Sequence, residues 1–328
     1  MVANRNEKWI QAEIVDTSLI AEDIKRIRLQ VSHVISAPAG SHIKVATGSN
    51  NTADIRSYSI AETNKKGTEL DIAVLKTRNS RGGSLFMHSL EPGQTMKITE
   101  PLQDFPLRIG APKYLLVAGG IGITPIVNMA NVLRNLEANY EIHYCARSPK
   151  AMAFYEDLKE GHGERVKFYF DSYDQYIDLN NLTSDLATGT ELYMCGPIRL
   201  MEAIKRSWLE NGNDPTNLRY ETFGNSGWFE AQQFYAHIPR LNKSISVGEN
   251  ETLLDALQRE GIDMVYDCQR GECGLCQVDI LEVDGEIDHR DVFLSESQKK
   301  INKKMCSCVS RAVKSDSISK ARIVLDVS

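Results

Sequence analysis

Nothing in the 328 residues is apolar for long enough to cross a bilayer as a helix. The longest apolar run, near Tyr114 to Val127, is broken by Gly119, Gly120, Gly122 and Pro125 and falls short of the roughly 20 residues that a span needs. The N-terminus, MVANRNEKWI, has neither an apolar core nor a cleavage site, so no secretory signal is expected. Positive charge is not in excess. The net charge is −6, which argues against nucleic acid as the main partner. Internal repeats and low-complexity tracts are missing as well. What remains, 42% hydrophobic and 25% charged residues, is ordinary for a globular chain, and the length suggests two or three domains. Cysteine is modest at seven, an odd number. That count, with the spacing described next, suits a reducing compartment and hence the cytoplasm.

The chain is organised around Asp267 to Val278, which reads DCQRGECGLCQV. Cys268, Cys273 and Cys276 are spaced C-x4-C-x2-C, the plant-type spacing for three thiolate ligands of a 2Fe–2S cluster, with a fourth expected downstream. A tight loop supplies three converging thiolates if it turns around the metal, and Gly271 and Gly274 let the backbone turn and come close. A structural zinc site would want a second pair or histidines, yet no second C-x2-C pair exists and no histidine follows until His289. A Rieske centre would need Cys-His pairs, which the stretch lacks. A disulfide and three ordinary buried cysteines are the remaining alternatives. For the fourth ligand, spacing leaves Cys306 and Cys308 of KKMCSCVSRA both open.

Residues 9 to about 107 read as β-structure. Short runs rich in β-branched residues recur at Ile10–Val15, Ile24–Val31, His42–Ala46, Ser57–Ile60, Glu69–Val74 and Thr95–Thr99. Gly and Pro punctuate them, which predicts a small antiparallel barrel. Within it, Arg56-Ser57-Tyr58-Ser59-Ile60 puts a cation, an aromatic ring and hydroxyls on one strand, a set that can serve a flavin. Ser80-Arg81-Gly82-Gly83-Ser84 follows, a glycine-rich turn whose backbone amides can approach a phosphate at a helix start. Read alone, the first is an ordinary strand and the second a flexible loop.

Residues 108 to about 222 change character. Tyr114–Ala118 is an apolar strand running into Gly119-Gly120-Ile121-Gly122-Ile123-Thr124-Pro125 and a helical pattern to Leu136. Thr124 is placed to cap that helix, and Pro125 suits its first position. Strand, glycine-rich turn and helix start together suit a pyrophosphate. Strands at Tyr140–Cys145, Val166–Phe170 and Glu191–Cys195 follow, with helices expected to start at Ser148-Pro149 and Pro197. The alternation predicts a doubly wound α/β sheet whose loops Gly119–Thr124, Arg147-Ser148 and Cys195-Gly196-Pro197 share the carboxyl edge where ligands bind. FGNSGWFEAQQFY, residues 223 to about 235, reads as a linker with little to pack. Residues 236–328 then read as a third, α+β domain. A strand at Ile245–Val247 precedes a Thr252-capped helix, Leu253–Glu260, ended by Gly261. After the cysteine loop, a strand pair is expected around Asp284-Gly285, with Ile323–Val327 closing the sheet.

These motifs, in this order, resemble the phthalate dioxygenase reductase family, reductase components of two-component Rieske oxygenases within the ferredoxin–NADP reductase superfamily. The resemblance covers essentially the whole chain. RSYSI is similar to the family's R-x-Y-S-L flavin motif, and SRGGS to its G-R-G-G-S phosphate loop, with Ser80 in place of the first glycine. GGIGITP, YCARS and MCGP are similar to its nicotinamide-dinucleotide motifs. The resemblance implies three domains: an FMN-binding antiparallel β-barrel at 1–107, an NAD-binding α/β domain at 108–226 and a plant-type ferredoxin domain at 227–328. It implies that Arg56, Ser57 and Ser59 bind FMN with Tyr58 packed at its ring, and that Arg81, Gly82, Gly83 and Ser84 hold the FMN phosphate. Gly119, Gly120, Gly122 and Thr124 would contact the NADH pyrophosphate, joined by Arg147, Ser148, Gly196 and Pro197, with Cys195 near the nicotinamide and Phe223 of YETFG shielding the flavin. Ser59, Cys195 and Phe223 are thus the residues expected at the reacting centre. In ferredoxins the last ligand directly precedes an apolar residue on a returning strand. Cys308-Val309 fits this better than Cys306.

The expected chemistry follows from electron counting. NADH gives two electrons as a hydride, whereas a 2Fe–2S cluster takes one at a time, and a flavin can do both. Between Ile245 and Lys300 there are 14 Asp and Glu against 5 Lys and Arg, an acidic surface that a basic patch on an oxygenase could meet. The expected acceptor is a Rieske-type oxygenase, of the aromatic acid demethylase, hydroxylase or carnitine monooxygenase kind. NADH is expected over NADPH, although Arg147 could meet a 2′-phosphate. The alternatives are an FAD-dependent reductase for another acceptor, such as a di-iron oxygenase, and a redox-sensing binding module.

Overall fold

The computed structural model describes residues 7–47, 54–77, 82–224, 226–315 and 320–327. They fall into two compact units. One holds Asn6–Gly196 with Ala203–Glu221, and the other holds Pro197–Glu202 with Thr222–Ser328. Among the described residues no helix is long and apolar enough to cross a membrane.

The first unit begins with an antiparallel barrel. Its strands are β1 (Trp9–Ala21), β2 (Ile24–Val31), β3 (Ser41–Thr47), β4 (Asp54–Thr63), β5 (Glu69–Leu75) and β6 (Thr95–Thr99), with a short β7 (Leu102–Gln103) beside β3. They are ordered β4-β5-β2-β1-β6-β3-β7, and an added β3–β4 pairing closes the ring. The expected six strands are all present. Alternation explains them. In β2, Ile27, Leu29 and Val31 point inward and the intervening side chains outward. Ile14, Ile27, Leu29, Ile43, Val45, Ile60, Ile72 and Ile98 fill the interior, each worth about 1.5–3 kcal/mol of burial. One helix, α1 (Gly83–Ser89), lies between β5 and β6.

The same unit continues into a parallel sheet. Strands β8 (Tyr114–Gly119), β9 (Tyr140–Ala146), β10 (Val166–Phe170), β11 (Glu191–Cys195) and β12 (Leu218–Glu221) are interleaved with helices α2 (Ile123–Asn135), α3 (Tyr155–His162), α4 (Leu179–Thr183) and α5 (Ile198–Glu210). The order is β10-β9-β8-β11-β12. The chain order therefore reverses between β8 and β11, where ligands bind in such sheets. β8 is buried along its whole length, as a central parallel strand should be.

Three expectations change here. Thr124 does not cap α2. A 3₁₀ turn, Gly120–Gly122, leads straight into the helix, and the Thr124 hydroxyl, inside its first turn, donates back to the Ile121 carbonyl. Pro125 is accordingly the third helical residue and not the first. Ser148-Pro149 opens only a 3₁₀ turn, and α3 waits until Tyr155, after Phe154 in a left-handed conformation.

Two buried histidines sit in this sheet region. His143 Nδ1 lies 3.0 Å from the Tyr169 hydroxyl, with Glu141 and Lys167 beside it. His162 Nδ1 lies 2.6 Å from the Tyr140 hydroxyl, near Arg134 and Arg165. Burial pushes both down to about 4, helped by neighbouring cations and, at His143, opposed by Glu141. The unfolded chain binds these protons near pH 6.5 and the folded chain refuses them until about pH 4, so stability is complete above 6.5 and drains away as pH falls. The thermal midpoint of this unit should therefore decline between pH 6.5 and 4, and His143→Phe should flatten that slope in calorimetry. An unchanged slope in the variant would show that the burial of His143 does not set it.

The second unit is α+β. Strands β13 (Phe234–Ile238), β14 (Lys243–Val247), β15 (Gln277–Asp284), β16 (Glu286–Asp288), β17 (Lys304–Cys306), β18 (Arg311–Val313) and β19 (Ala321–Asp326) accompany α6 (Leu253–Arg259) and α7 (Glu296–Ile301). The main sheet runs β14-β13-β19-β15-β17, so β19 lies at its centre, and β16 pairs with β18 in a separate ribbon. The expected hairpin at Asp284-Gly285 is therefore not one. β15 finds its partners in β17 and β19, and the chain continues past Gly285 to pair with Arg311–Val313. Thr252 caps α6 in a reciprocal capping box with Asp255, as its position suggests.

The stretch read as a linker packs tightly. Asp288 Oδ1 accepts the Trp228 amide, and Arg290 bridges Asp288 and the Phe229 carbonyl. Arg311 donates to the carbonyls of Gln232, Gly248 and Glu251 and lies over the Phe234 ring. Burial lowers the Arg311 pKa to about 10. A glycine-rich sequence suggested slack, but these carbonyls are claimed by buried side chains distant in sequence.

Candidate functional site

The barrel brings its two motifs together. On β4, the pleat sets Arg56 and Tyr58 on one face and Ser57 and Ser59 on the other. A Cβ at Gly83 would sit 3.0 Å from Arg56 Cγ, so the start of α1 abuts the Arg56 side chain. Gly82, at φ 105, precedes the helix, and the Ser84 hydroxyl accepts the Thr77 amide at 3.2 Å. Arg81 lies outside the described residues, as does Ser80. Ser59, buried, donates to Glu221 Oε2 at 3.2 Å.

The loops at the carboxyl ends of β8 and β11 press backbone to backbone. A Cβ at Gly122 would collide with the Cys195 carbonyl, and one at Gly196 would lie 3.0 Å from the Gly119 amide. Only glycine permits that approach. Gly119, Gly120, Gly122, Thr124, Cys195 and Gly196 thus converge at the switch point, with Pro197 opening α5. Arg147 and Ser148 follow β9, one strand away, and the Arg147 carbonyl accepts the Ser172 amide at 2.8 Å.

In the second unit, the cysteine loop bends through Gly271 (φ 77) and Gly274 (φ 71). A Cβ at Gly271 would meet Val309 at 2.7 Å and Asp291 at 2.9 Å, and one at Gly274 would meet the Phe293 ring. The backbone amides of Arg270, Glu272 and Cys273 all point at the Cys268 sulfur, each 3.4 Å away. Phe223, half-buried, directly follows Thr222, whose amide donates to Glu272 Oε1 at 2.7 Å.

Comparisons with known proteins match these parts. Residues 11–106 match the oxidoreductase FAD-binding domain family, and residues 237–313 the 2Fe-2S iron-sulfur cluster binding domain family. The chain is 36% identical to a vanillate O-demethylase oxidoreductase of Pseudomonas sp. strain HR199, over 92% of this chain and 97% of that one. It is 34% identical to the carnitine monooxygenase reductase subunit of Acinetobacter pittii, over 83% and 88%. Among solved structures, phthalate dioxygenase reductase superposes with a TM-score of 0.72 at 28% identity, covering 97% of this chain and 98% of that one. This chain belongs to the phthalate dioxygenase reductase family. It also spans 41% of a longer solved chain, an intact type IV self-sufficient cytochrome P450 monooxygenase, at 34% identity and a TM-score of 0.65.

A reductase of this family carries a flavin and a 2Fe–2S cluster and uses a nicotinamide nucleotide, and the cysteines present fit the cluster. Among the described residues no three His, Cys, Asp or Glu side chains converge as for a single ion. A two-iron cluster asks for something else, two thiolates for each iron. The thiols form two groups, a pair and a trio that holds one more than an iron needs: Cys268 with Cys273, and Cys276 with Cys306 and Cys308. Cys276 is the acidic member of its group, since the Cys306 and Cys308 thiols donate to its sulfur, and those two are raised in turn. Burial raises Cys268, while the three amides favour its thiolate.

Two features of the reductase escaped the sequence reading. Glu221 sits inside the quoted YETFG, yet a carboxylate at a strand end reads as solvated, and only the fold brings it to Ser59. Asp291 is fully buried behind the cysteine loop, accepting from the Leu294 amide at 2.8 Å and the Ser310 hydroxyl at 3.2 Å. Nothing in DHRDVF signals that burial.

Proposed function

We propose that the chain is the NADH-dependent reductase component of a two-component oxygenase, passing electrons from NADH through FMN and a 2Fe–2S cluster to a Rieske-type oxygenase component. What supports this most is that one chain joins a hydride-handling half to a single-electron half, at 36% identity to a demethylase oxidoreductase along nearly its whole length. Arg56, Ser57, Tyr58 and Ser59 would hold the flavin, with Gly82, Gly83, Ser84 and Arg81 at its phosphate. Gly119, Gly120, Gly122, Thr124, Arg147, Ser148, Gly196 and Pro197 would hold the nucleotide, with Cys195 near the nicotinamide and Phe223 shielding the flavin. Cys268, Cys273, Cys276 and Cys308 would hold the cluster. The domain boundaries at 107 and 226 belong to the same proposal. Seven free thiols suit a cytoplasmic setting.

The test is simple. Purified protein should carry about two irons per chain and release FMN on acid extraction. It should reduce cytochrome c with NADH in preference to NADPH and sustain turnover by its oxygenase. FAD in the extract would overturn the FMN assignment. Equal efficiency with both nucleotides would overturn the NADH preference, and failure with every Rieske oxygenase would overturn the proposed acceptor.

A further inference from the structure

The cysteine loop has two differently furnished sides. On one, Glu272 accepts the Thr222 amide, Arg270 pairs with Glu272 at 3.4 Å, and a Cβ at Gly224 would lie 3.4 Å from Arg270 Cα. That side is occupied by the chain arriving from β12. On the other, the Phe293 ring lies flat against Gly274, between Cys273 and Cys276. Phe293 keeps 43% of its surface exposed, and Leu275, next to Gly274, keeps 50%. Cys268 and Cys273 are half-exposed, whereas Cys276, Cys306 and Cys308 are buried. An exposed aromatic touching a redox-metal loop is not explained by packing, because Gly274 needs only that nothing larger than hydrogen stand there.

The charges around this side are mostly acidic. The segments that carry or flank it, residues 261–269, 273–279 and 292–298, contain Asp263, Asp267, Asp279 and Glu296 and no Lys or Arg; of the four acids, Asp279 is paired with Lys304 at 3.1 Å. Lys299, just after the last of these segments, is engaged by Glu202 at 2.5 Å and by the Asp291 carbonyl. An apolar centre with a mostly acidic rim is the anatomy of a transient docking patch.

We infer that Phe293 and Leu275 form the electron exit surface, on which an oxygenase component docks through an apolar spot ringed by Lys and Arg. This deepens the proposed function and rests on it. One electron leaves the reduced cluster per encounter, turning one acceptor ferric ion ferrous. Each NADH, losing its hydride to become NAD⁺, serves two such encounters and leaves one proton in solution. No bond to the protein forms or breaks.

The probe is cytochrome c, a cationic haem protein, beside ferricyanide, a small anion that needs no docking patch. Leu275→Ser and Phe293→Ser should each raise KM for cytochrome c about tenfold, the scale of a moderate interface anchor. Ferricyanide reduction, iron content and the electron paramagnetic resonance spectrum should stay unchanged. In the parent protein KM should rise with salt, and Asp263→Lys should weaken that dependence. Should Phe293→Ser lose iron, Leu275→Ser and Asp263→Lys decide the matter. Parent-like KM and salt dependence in those two would overturn the inference, as would a dimer in sedimentation that Leu275→Ser dissolves. If the parent protein reduced no cytochrome c with NADH, the proposed function itself would be wrong.

Discussion

Cys273→Ser should abolish NADH-dependent reduction of cytochrome c and of any oxygenase while leaving ferricyanide reduction intact. The substitution removes one thiol of the Cys268–Cys273 group, and a cluster cannot hold an iron on a single thiolate there. The first unit should survive, because its barrel core is built from its own residues and the second unit has a separate core. Iron should fall to background and flavin should remain. Arg56→Ala gives the contrast. It removes a cation beside Gly83 and should weaken flavin retention, lowering both activities together until FMN is added in excess. A cluster-free variant that still served its oxygenase normally would refute the relay and leave the cluster a structural or sensory role.

The fourth ligand should be Cys308. Cys308→Ser should lose the cluster, and Cys306→Ser should keep its iron. Both thiols are buried and both are turned to the Cys276 sulfur, so proximity alone does not separate them. Their backbones differ. Cys306 ends β17 and is held in register opposite Gln277. Cys308 lies in the turn that follows, and its neighbour Val309 packs at Gly271 and Gly224, against the loop itself. A ligand on the turn can follow the metal, whereas one in the ladder must bend the sheet. Iron content and absorbance of the two variants decide it, and the reverse pattern would assign Cys306.

The sequence was most legible where physical chemistry is local. Six barrel strands, the glycine turn after β8 and the capping box at Thr252 follow from alternation, φ preference and a single side-chain bond. It misled where distant residues decide. Gly285 reads as a hairpin turn because nothing nearby says that Arg311–Val313 will claim β16. Thr124 reads as a cap because the 3₁₀ turn ahead of it cannot be seen in GGIGITP. The same limit applies to the candidate site. The motif residues could be named in advance, but Glu221 at Ser59 and Asp291 beneath the cysteine loop are carboxylates that composition assigns to the surface.

The clamp at Arg311 has a bearing on chain engineering. Reductases of this kind invite dissection, with the iron–sulfur part excised for spectroscopy or grafted onto another oxidoreductase. A cut at residue 236, where the repeating strand pattern begins, would strip Arg311 of the Gln232 carbonyl and Arg290 of the Phe229 carbonyl. Each buried guanidinium would then lose one of its partners, Arg311 keeping the Gly248 and Glu251 carbonyls and Arg290 keeping Asp288, at a cost of about 1–3 kcal/mol apiece. Gly227, which admits only hydrogen beside Arg290 and Asp288, would be lost with them. A cut ahead of Thr222 keeps these contacts, so the module carries some fourteen residues that look dispensable on paper and act as its underside, while it still parts Lys299 from Glu202, a residue of the same unit.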